Sequence, residues 1–447
     1  MLVRRALLAV TTLAVIAGLA SGVPSSSEAS AASSTTPTIV TPGNFLGFGF
    51  DQCNTPSQSA MDAWLDNSPY LAVGIYISGA SRACKKQENL TPTWVSTQVA
   101  KGWRLLPITV GPQAPCNPRF PRYGKDASIP STPGKAKKFT QARQRGTTEA
   151  KSAVAAAQKL GIAAGSTLWY DLESYDQTKA RCRRASLSFL SGWTQGLHAL
   201  KYVSGVYSSA GSGIKALDHA RVNSPGTYVM PDRIWLARWD GEANTSSSYI
   251  RADGWVPGNR MKQYLGGHNE TWGKVTINID RDFLDLGKHT LRPVTHCGGV
   301  AVDLPDYPRV QQGAPAGTVK ALQCLLTEQK AYAGKISGRY NAATLKAAQT
   351  WQQDHDLAVR PYWTRRAWMT LFTVGGRPVL KFGSTGPAVR RLQRTLNAAT
   401  HGTDLPVTGV FAQMTDSALR AWQISQQRKA LGVVNPSTWK ALAAGTR

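Results

Sequence analysis

The sequence lacks the short motifs that mark several large enzyme classes. It contains no G-x-S-x-G turn, no H-E-x-x-H pair and no phosphate-binding G-x-x-x-x-G-K-[ST] loop. Its seven histidines are scattered along the chain. These absences argue against a serine esterase, a zinc peptidase or a zinc amidase, and we expect neither a bound cofactor nor a metal ion.

Beyond its N-terminus the sequence has no apolar run long enough to span a bilayer. The basic segment Met1–Arg5 precedes the apolar segment Ala6–Ala20, and Ala29-Ser30-Ala31 is a small-x-small site suited to cleavage. This arrangement predicts a signal peptide over residues 1–31, with a membrane anchor as the alternative. The pair Arg4-Arg5 leaves the general and the twin-arginine export routes open. We therefore expect a secreted, cell-wall-associated protein without stable membrane insertion.

Acidic residues are scarce, since 26 Asp and Glu stand against 52 Lys and Arg, and the formal net charge is +26. A field of this sign attracts polyanions. The sequence carries no zinc-finger, RRM or homeodomain signature, so nucleic acid is not predicted as a partner. Peptidoglycan and anionic cell-wall polymers are the polyanions that an exported protein meets first, and we expect these as partners.

Cysteine is also infrequent, with six residues in the chain. An even number in an exported protein predicts three disulfides, although six cysteines allow many connectivities. No C-x-x-C pair occurs and no histidine stands at ligand spacing from a cysteine, which argues against a zinc site. Proximity along the chain favours the pairs Cys53–Cys84, Cys116–Cys182 and Cys297–Cys324.

After a Ser/Thr/Pro-rich lead over residues 32–43, strand-like and helix-like segments alternate through residues 44–288. Such alternation is typical of parallel βαβ units, and eight strands in a segment of this length predict a (β/α)8 TIM-like barrel. A doubly wound open sheet is the alternative. The predicted strands are Phe45–Asp51, Leu71–Ile77, Arg104–Val110, Thr167–Leu172, Tyr202–Tyr207, Ile234–Trp239, Arg260–Leu265 and Val275–Asp280.

A Pro/Gly-rich linker over residues 289–312 precedes an internal repeat, whose copies are residues 313–374 and 375–447. We predict a small all-α domain of three helices for each copy, with Thr344 and Thr415 as N-caps. The recurring residues are separated by 71 positions: Gly338, Tyr340, Thr344, Trp351, Gln352, Trp368 and Leu371 correspond to Gly409, Phe411, Thr415, Trp422, Gln423, Trp439 and Leu442.

The repeats resemble the peptidoglycan-binding domain that many cell-wall hydrolases carry. The second copy follows its pattern from Gly383-Ser384-Thr385-Gly386 through Leu392-Gln393 to Trp422-Gln423. The first copy departs from it, because Ala316-Gly317 stands at the Gly-x-x-Gly turn and Asn341 follows the aromatic residue. The resemblance implies binding to peptidoglycan, more firmly for the second copy.

Carboxylates end three of the predicted barrel strands. Asp51 ends the first strand, Asp171 and Glu173 end the fourth, and Asp280 ends the eighth. The C-terminal ends of parallel barrel strands open on one face, where active sites lie. Paired carboxylates are what glycoside hydrolysis needs, one as a proton donor and one as an ionised partner. The alternative for each residue is a helix N-cap.

These segments resemble the family-25 glycoside hydrolases, which are lysozyme-type muramidases, and more narrowly an exported glycoside hydrolase-like domain related to them. The matching segments are Gly47-Phe48-Gly49-Phe50-Asp51, Tyr170-Asp171-Leu172-Glu173, Gly205-Val206-Tyr207-Ser208, Trp235-Leu236-Ala237-Arg238-Trp239, Gln263-Tyr264 and Ile279-Asp280. The resemblance implies that Glu173 is the general acid. It also implies that Asp171 and Asp51 stabilise the transition state and that Asp280 binds substrate and tunes the other carboxyl groups.

The same resemblance implies a peptidoglycan-directed glycoside hydrolase that cleaves β-1,4 bonds and acts as a monomer. Its expected sugar-binding residues are Tyr170, Tyr207, Trp235, Trp239, Gln263 and Tyr264. A non-catalytic wall or glycan binder that keeps the barrel as a scaffold is the main alternative, and an enzyme acting on another extracellular glycan is a third.

Overall fold

Eight strands close into a barrel in which each strand pairs with the next one along the chain and the last pairs with the first. The structure, a computed structural model, describes residues 37–41, 43–117, 127–287 and 291–446, all within one compact unit, Thr35–Arg447. The predicted signal peptide lies outside the described residues. The strands are β1 (Leu46–Asp51), β2 (Ala72–Ser78), β3 (Arg104–Thr109), β4 (Thr167–Asp171), β5 (Val203–Ser209), β6 (Arg233–Ala237), β7 (Arg260–Trp272) and β8 (Val275–Asp285).

A helix follows each of the first five strands: α1 (Gln58–Asn67), α2 (Pro92–Ala100), α3 (Thr140–Lys159), α4 (Ala180–Ala199) and α5 (Lys215–Asn223). The helices α1 and α2 begin at Ser57 and Thr91, whose hydroxyl oxygens accept hydrogen bonds from backbone N–H groups of the first turn. Among the described residues no helix has the length and apolar character needed to cross a bilayer.

The last quarter of the barrel differs from the predicted (β/α)8 pattern. No helix follows β6 or β7 in the described residues, and β8 is antiparallel to both β7 and β1. Gly273 and Lys274 form the two-residue turn between β7 and β8, and both have positive φ. Because so short a connection makes only a hairpin, the prediction of eight parallel βα units is wrong here. The closed barrel also excludes the alternative of an open sheet.

Side chains alternate between the barrel interior and the layer beneath the helices. On β1, Phe50 points outward and packs against Trp64 of α1, with ring centroids 4.8 Å apart. On β4, Tyr170 points outward against Phe189 of α4, at 4.8 Å. The neighbouring residues on these two strands, Asp51 and Asp171, therefore point inward.

The three disulfides predicted from proximity are confirmed. Cys53 pairs with Cys84, Cys116 with Cys182 and Cys297 with Cys324. The first bond joins the loops that follow β1 and β2, and the second joins the loop after β3 to the first turn of α4. The third ties the linker to the first helix of the first repeat.

The C-terminal region is helical, as predicted, with three helices in each repeat. They are α6 (Ala316–Glu328), α7 (Ala342–Asp354) and α8 (Arg365–Phe372) in the first copy, and α9 (Pro387–Ala399), α10 (Gln413–Ser425) and α11 (Pro436–Ala443) in the second.

The threonines predicted as N-caps have another role. The N-caps are Asn341 for α7 and Ala412 for α10. The hydroxyl of Thr344 instead accepts a hydrogen bond from Gln323 at 2.8 Å, and Thr415 accepts one from Gln393 at 3.0 Å. The recurring polar residues therefore stabilise each repeat from within, because their hydrogen bonds join its first two helices.

The second repeat packs against the barrel through Lys381, whose side chain is completely buried. Its Nζ donates to the backbone carbonyl oxygens of Ser68 at 2.7 Å and Tyr70 at 3.1 Å, and it also contacts that of Leu65. These carbonyl groups lie at and just beyond the C-terminal end of α1, where a cation is favoured. Burial lowers the pKa of Lys381 to about 7, and the charge of Asp66 opposes this shift.

Candidate active site

A groove of about 360 Å³ opens at the C-terminal ends of β1 and β4. Four carboxyl groups line it, those of Asp51, Asp171, Glu173 and Asp280. A second hollow of about 300 Å³ shares Glu173, Tyr207 and Trp239 with this groove and extends it. The structure thus brings together all four acidic residues that the sequence predicted as catalytic.

Asp51 is the most enclosed of these four, with 2% of its surface exposed. The hydroxyl of Tyr76 donates to Asp51 Oδ1 at 3.1 Å, and Gln263 Nε2 donates to Asp51 Oδ2 at 3.0 Å. Burial raises the pKa of Asp51 to about 6, although both hydrogen bonds oppose that shift. Asp51 is therefore mainly ionised at pH 7 and gains a proton in mildly acidic solution.

A glutamine that the sequence did not reveal holds the end of β4 in place. Gln113 is fully buried in the loop after β3. Its Nε2 donates to the carbonyl oxygen of Asp171 at 2.9 Å, and its Oε1 accepts from the backbone N–H of Glu173 at 2.8 Å. Because these bonds fix the backbone on both sides of Leu172, Asp171 and Glu173 are held at the same groove.

Asp280 reaches the groove in a different way from the one predicted. It lies within β8 and does not end that strand, and the antiparallel register places it opposite Asp51 on β1. Burial raises the pKa of Asp280 to about 8, and the charges of Asp51 and Glu173 add to this rise. At pH 7 this carboxyl group therefore holds a proton next to ionised Asp51.

A fifth carboxyl group, Asp282, was missed in the sequence. It lies two residues after Asp280 on the same face of β8 and is completely buried. Trp235 Nε1 donates to its Oδ1 at 2.9 Å. Burial and the charges of Asp51 and Asp280 raise the pKa of Asp282 well above its usual range. The spacing of two residues between Asp280 and Asp282 is the sequence signal that could have revealed it.

The predicted sugar-binding residues divide into two groups. Tyr207, Trp239 and Gln263 line the groove, and Trp239 is 66% exposed. The hydroxyl of Tyr207 and Nε1 of Trp239 both donate to Gln263 Oε1 at 3.0 Å.

The other three residues do not line the groove. Tyr170 is buried beneath α4 and donates to the carbonyl oxygen of Pro112 at 2.6 Å. Trp235 is buried inside the barrel, and Tyr264 is buried where the register of β7 with β8 shifts between Gln263 and Leu265. Their burial is a packing role, and the expectation that they stack on sugars is corrected.

Little positive charge balances the groove. Arg82 is the one basic residue among the described residues that line it. Its guanidinium donates to the carbonyl oxygens of Tyr76 at 2.9 Å and Gly79 at 3.1 Å. Among the described residues, the one set of groups close enough to hold a metal ion is Cys297, Cys324 and Glu328, and its two cysteines form a disulfide. The described lining of the groove thus combines four carboxyl groups with one arginine.

Two family models match the chain. Residues 62–284 match the Rv2525c-like, glycoside hydrolase-like domain. Residues 385–442, within the second repeat, match the putative peptidoglycan binding domain. The chain combines a glycoside hydrolase-like domain with a C-terminal peptidoglycan-binding domain. The resemblance to a glycoside hydrolase-like domain is thereby confirmed, and the resemblance to the peptidoglycan-binding domain is confirmed for the second copy. Asp51 lies just before the first matched segment. No curated protein matches the chain.

Several solved structures are similar to about half of the chain. An uncharacterised protein of B. stearothermophilus is 18% identical, with 53% of this chain and 95% of that chain covered and a TM-score of 0.34. The Tat-secreted protein Rv2525c of Mycobacterium tuberculosis, in complex with L-tartrate, is 12% identical, with 54% and 95% covered and a TM-score of 0.34. The modular autolysin LytC of Streptococcus pneumoniae is 13% identical, with 53% and 46% covered and a TM-score of 0.32.

Proposed function

We propose that this protein is a secreted, peptidoglycan-directed glycoside hydrolase that cleaves β-1,4 bonds of the glycan strand in the manner of a lysozyme. The observation that carries the proposal is the convergence of four carboxyl groups from β1, β4 and β8 on one open groove. Two of these groups have pKa values on opposite sides of pH 7, about 6 for Asp51 and about 8 for Asp280. Glycoside cleavage needs protonated and ionised carboxyl groups in one groove, and this pair supports the view that the groove sustains both states.

In this proposal Glu173 donates the proton to the leaving glycosidic oxygen. Glu173 is half-buried and lines both the groove and its extension, so a glycan strand lying along them passes over its carboxyl group. Asp171 and ionised Asp51 stabilise the positive charge that develops on the sugar ring. Asp280 holds its proton at neutral pH, so it donates a hydrogen bond to the substrate without adding another negative charge.

Trp239 supplies the apolar surface of the substrate site. Its ring is exposed, while its Nε1 is tied to Gln263. A ring that is fixed at one edge and open on its face is suited to packing against a sugar ring. Tyr207 shares the same glutamine and borders both hollows.

The peptidoglycan-binding domain concentrates the enzyme on its insoluble substrate. Peptidoglycan is the partner that its family match supports. Binding by one module raises the effective concentration of the other on the same polymer. We therefore propose a cell-wall location, which three disulfides and the strongly basic sequence favour.

A non-catalytic glycan binder is the second candidate. The enclosure of Asp51, with both of its oxygens hydrogen-bonded, favours this reading because such a network also serves a purely structural purpose. Incubation of the protein with purified sacculi separates the two candidates. The hydrolase releases soluble fragments ending in reducing N-acetylmuramic acid, which mass spectrometry identifies. Binding without any new reducing end would leave the barrel as a scaffold.

A further inference from the structure

A cleft of about 510 Å³ lies on the first repeat, between the linker and the segment that leads into α8. Four arginines line it together with one tyrosine and one histidine: Arg309, Arg360, Arg365, Arg366, Tyr362 and His401. No acidic residue is among its described lining residues. The cleft is separate from the groove of the barrel, and His401, at its edge, is the one residue of its described lining that lies in the second repeat, within the segment that matches the peptidoglycan-binding domain.

The arginines of the cleft are of two kinds. Arg365 is buried, contacts Asp306 and bonds to His401 at 2.7 Å, so it forms a fixed back wall. Arg309, Arg360 and Arg366 are exposed, and none of them forms an ion pair with an acidic residue in the described part of the chain. These three guanidinium groups therefore keep their charge available to a ligand.

Arg309 is already oriented for such a ligand. Its guanidinium carbon lies 4.1 Å from the ring centre of Tyr362. A guanidinium whose face rests on an aromatic ring keeps its N–H groups free along its edges, and those groups bind oxyanions in pairs. The loss of side-chain freedom on binding is smaller for a group that is already stacked.

The second repeat has a surface that corresponds to this cleft, and its hydrogen bonds identify the equivalent residues. Trp368 donates to the carbonyl oxygen of Pro308, as Trp439 does to that of Pro378, so Val379 occupies the position of Arg309. Gln352 donates to the carbonyl oxygen of Tyr362, as Gln423 does to that of Val433.

In the second repeat this face is directed at the barrel. Val379 packs against the barrel core, and Asn435 donates to the carbonyl oxygen of Asp66 at 3.2 Å. The face therefore carries valine where it is covered and arginine and tyrosine where it is open. Valine suits a surface that packs against protein, whereas arginine and tyrosine suit a surface that binds a solvated polyanion.

We propose that this cleft, defined by Arg309, Arg360, Arg366 and Tyr362, binds a phosphodiester-linked polyol chain of the bacterial cell wall. Guanidinium groups match the geometry of phosphate oxygens and bind them with paired, charge-assisted hydrogen bonds. A polymer with a negative charge in every repeating unit engages several arginines at once, whereas the match to the putative peptidoglycan binding domain falls on the other repeat. The cleft gives the protein a second wall ligand, and this inference stands apart from the catalytic proposal.

The test is equilibrium binding of the full-length protein to purified, lipid-free polyglycerol phosphate, measured by isothermal titration calorimetry at physiological salt. The test variant is Arg309→Gln/Arg360→Gln/Arg366→Gln. The control is Lys330→Gln/Arg339→Gln/Lys346→Gln, which removes the same charge from exposed positions of the same repeat outside the cleft. Poly-L-glutamate of equal charge is titrated separately as the comparison polyanion.

The cleft variant is expected to lose at least tenfold in affinity for polyglycerol phosphate, and the control less than threefold. Poly-L-glutamate is expected to bind wild-type protein at least tenfold more weakly. Equal losses in both variants would mean that only the general positive field attracts the polymer, and would overturn the proposal. Equal binding of the two polymers would overturn it as well. This experiment measures binding and not reducing-end release from sacculi. A negative result here is therefore distinct from failure of the hydrolase proposal.

Discussion

Nε2 of Gln263 lies 3.0 Å from Oδ2 of Asp51 and donates a hydrogen bond to it. The other end of the same amide accepts from Tyr207 and from the exposed Trp239. A single side chain thus connects the aromatic surface of the groove to its most buried ionisable carboxyl group. The orientation of the amide is fixed, because its oxygen accepts from two donors and its nitrogen faces an acceptor.

Replacing Gln263 is expected to change the protonation of Asp51. The bond from Gln263 lowers the pKa of Asp51 against the effect of burial, so Gln263→Leu is expected to raise that pKa above its value of about 6. Carboxyl-carbon NMR titration of labelled aspartate measures the shift directly. The control is Tyr264→Phe, since Tyr264 is the neighbour of Gln263 on β7 and is not among the residues that line the groove. An unchanged titration of Asp51 in Gln263→Leu would contradict the network described here.

The stability of the barrel is expected to fall as the pH rises from about 4 to about 8. The pKa values of Asp51 and Asp280 are raised from 3.8 to about 6 and about 8, so the folded state holds more protons than the unfolded state across this window. Stability is therefore complete at the acidic end and is lost as each group ionises. For Asp51 the loss is about 3 kcal/mol.

Urea unfolding at a series of pH values checks this dependence. Asp280→Asn removes one of the raised groups and is expected to flatten the slope between pH 6 and pH 8. Glu88→Gln, which changes an exposed residue outside the groove, is the control and is expected to keep the wild-type slope. The same slope in Asp280→Asn and wild type would mean that Asp280 does not titrate in this range.

The contact between the barrel and the second repeat is expected to depend on Lys381. Lys381→Met keeps most of the side-chain volume but leaves the carbonyl oxygens of Ser68 and Tyr70 without their buried donor. The free energy of unfolding is expected to fall by about 3 kcal/mol, as for other buried polar groups that lose their partners. Urea unfolding measures it, with Lys440→Met on the exposed surface of α11 as the control. Equal midpoints for the two variants would show that the contact contributes little.

Much of this site was accessible from the sequence because strand ends carry its acids. Asp51 and Asp171 end β1 and β4 as predicted, and both point into the barrel. The even spacing of Asp171 and Glu173 was sufficient to place them on one side of the chain. The disulfide pairs also followed from proximity along the chain.

The parts that were missed depend on contacts between distant segments. The hairpin of β7 and β8 reverses the direction of the last strand, and strand alternation alone does not reveal direction. Gln113 acts through backbone groups of a strand far along the chain, which no local pattern indicates. For Trp235 and Tyr170 the sequence predicted a sugar-binding role that their burial does not fit. An aromatic residue near a strand end is equally compatible with sugar stacking and with core packing.

The repeats show the same limit. Their recurring Gln, Thr and Trp residues identified the domain but proved to be internal ties, such as Gln393 to Thr415. The two copies differ at surface positions that are not part of the family pattern. One example is Arg309 in the first copy, which is equivalent to Val379 in the second. Only the structure shows that one of these faces is covered by the barrel and the other is open.

The central claim is that Glu173 donates the proton in glycan cleavage, and the most direct measurement is reducing-end release from purified sacculi by Glu173→Gln. Glu88→Gln is the matched control, because it makes the same chemical change at an exposed residue that does not line the groove. The account predicts a loss of at least a hundredfold in Glu173→Gln, with sacculus binding unchanged and wild-type release by the control. Wild-type release of fragments with reducing N-acetylmuramic acid by Glu173→Gln would contradict it.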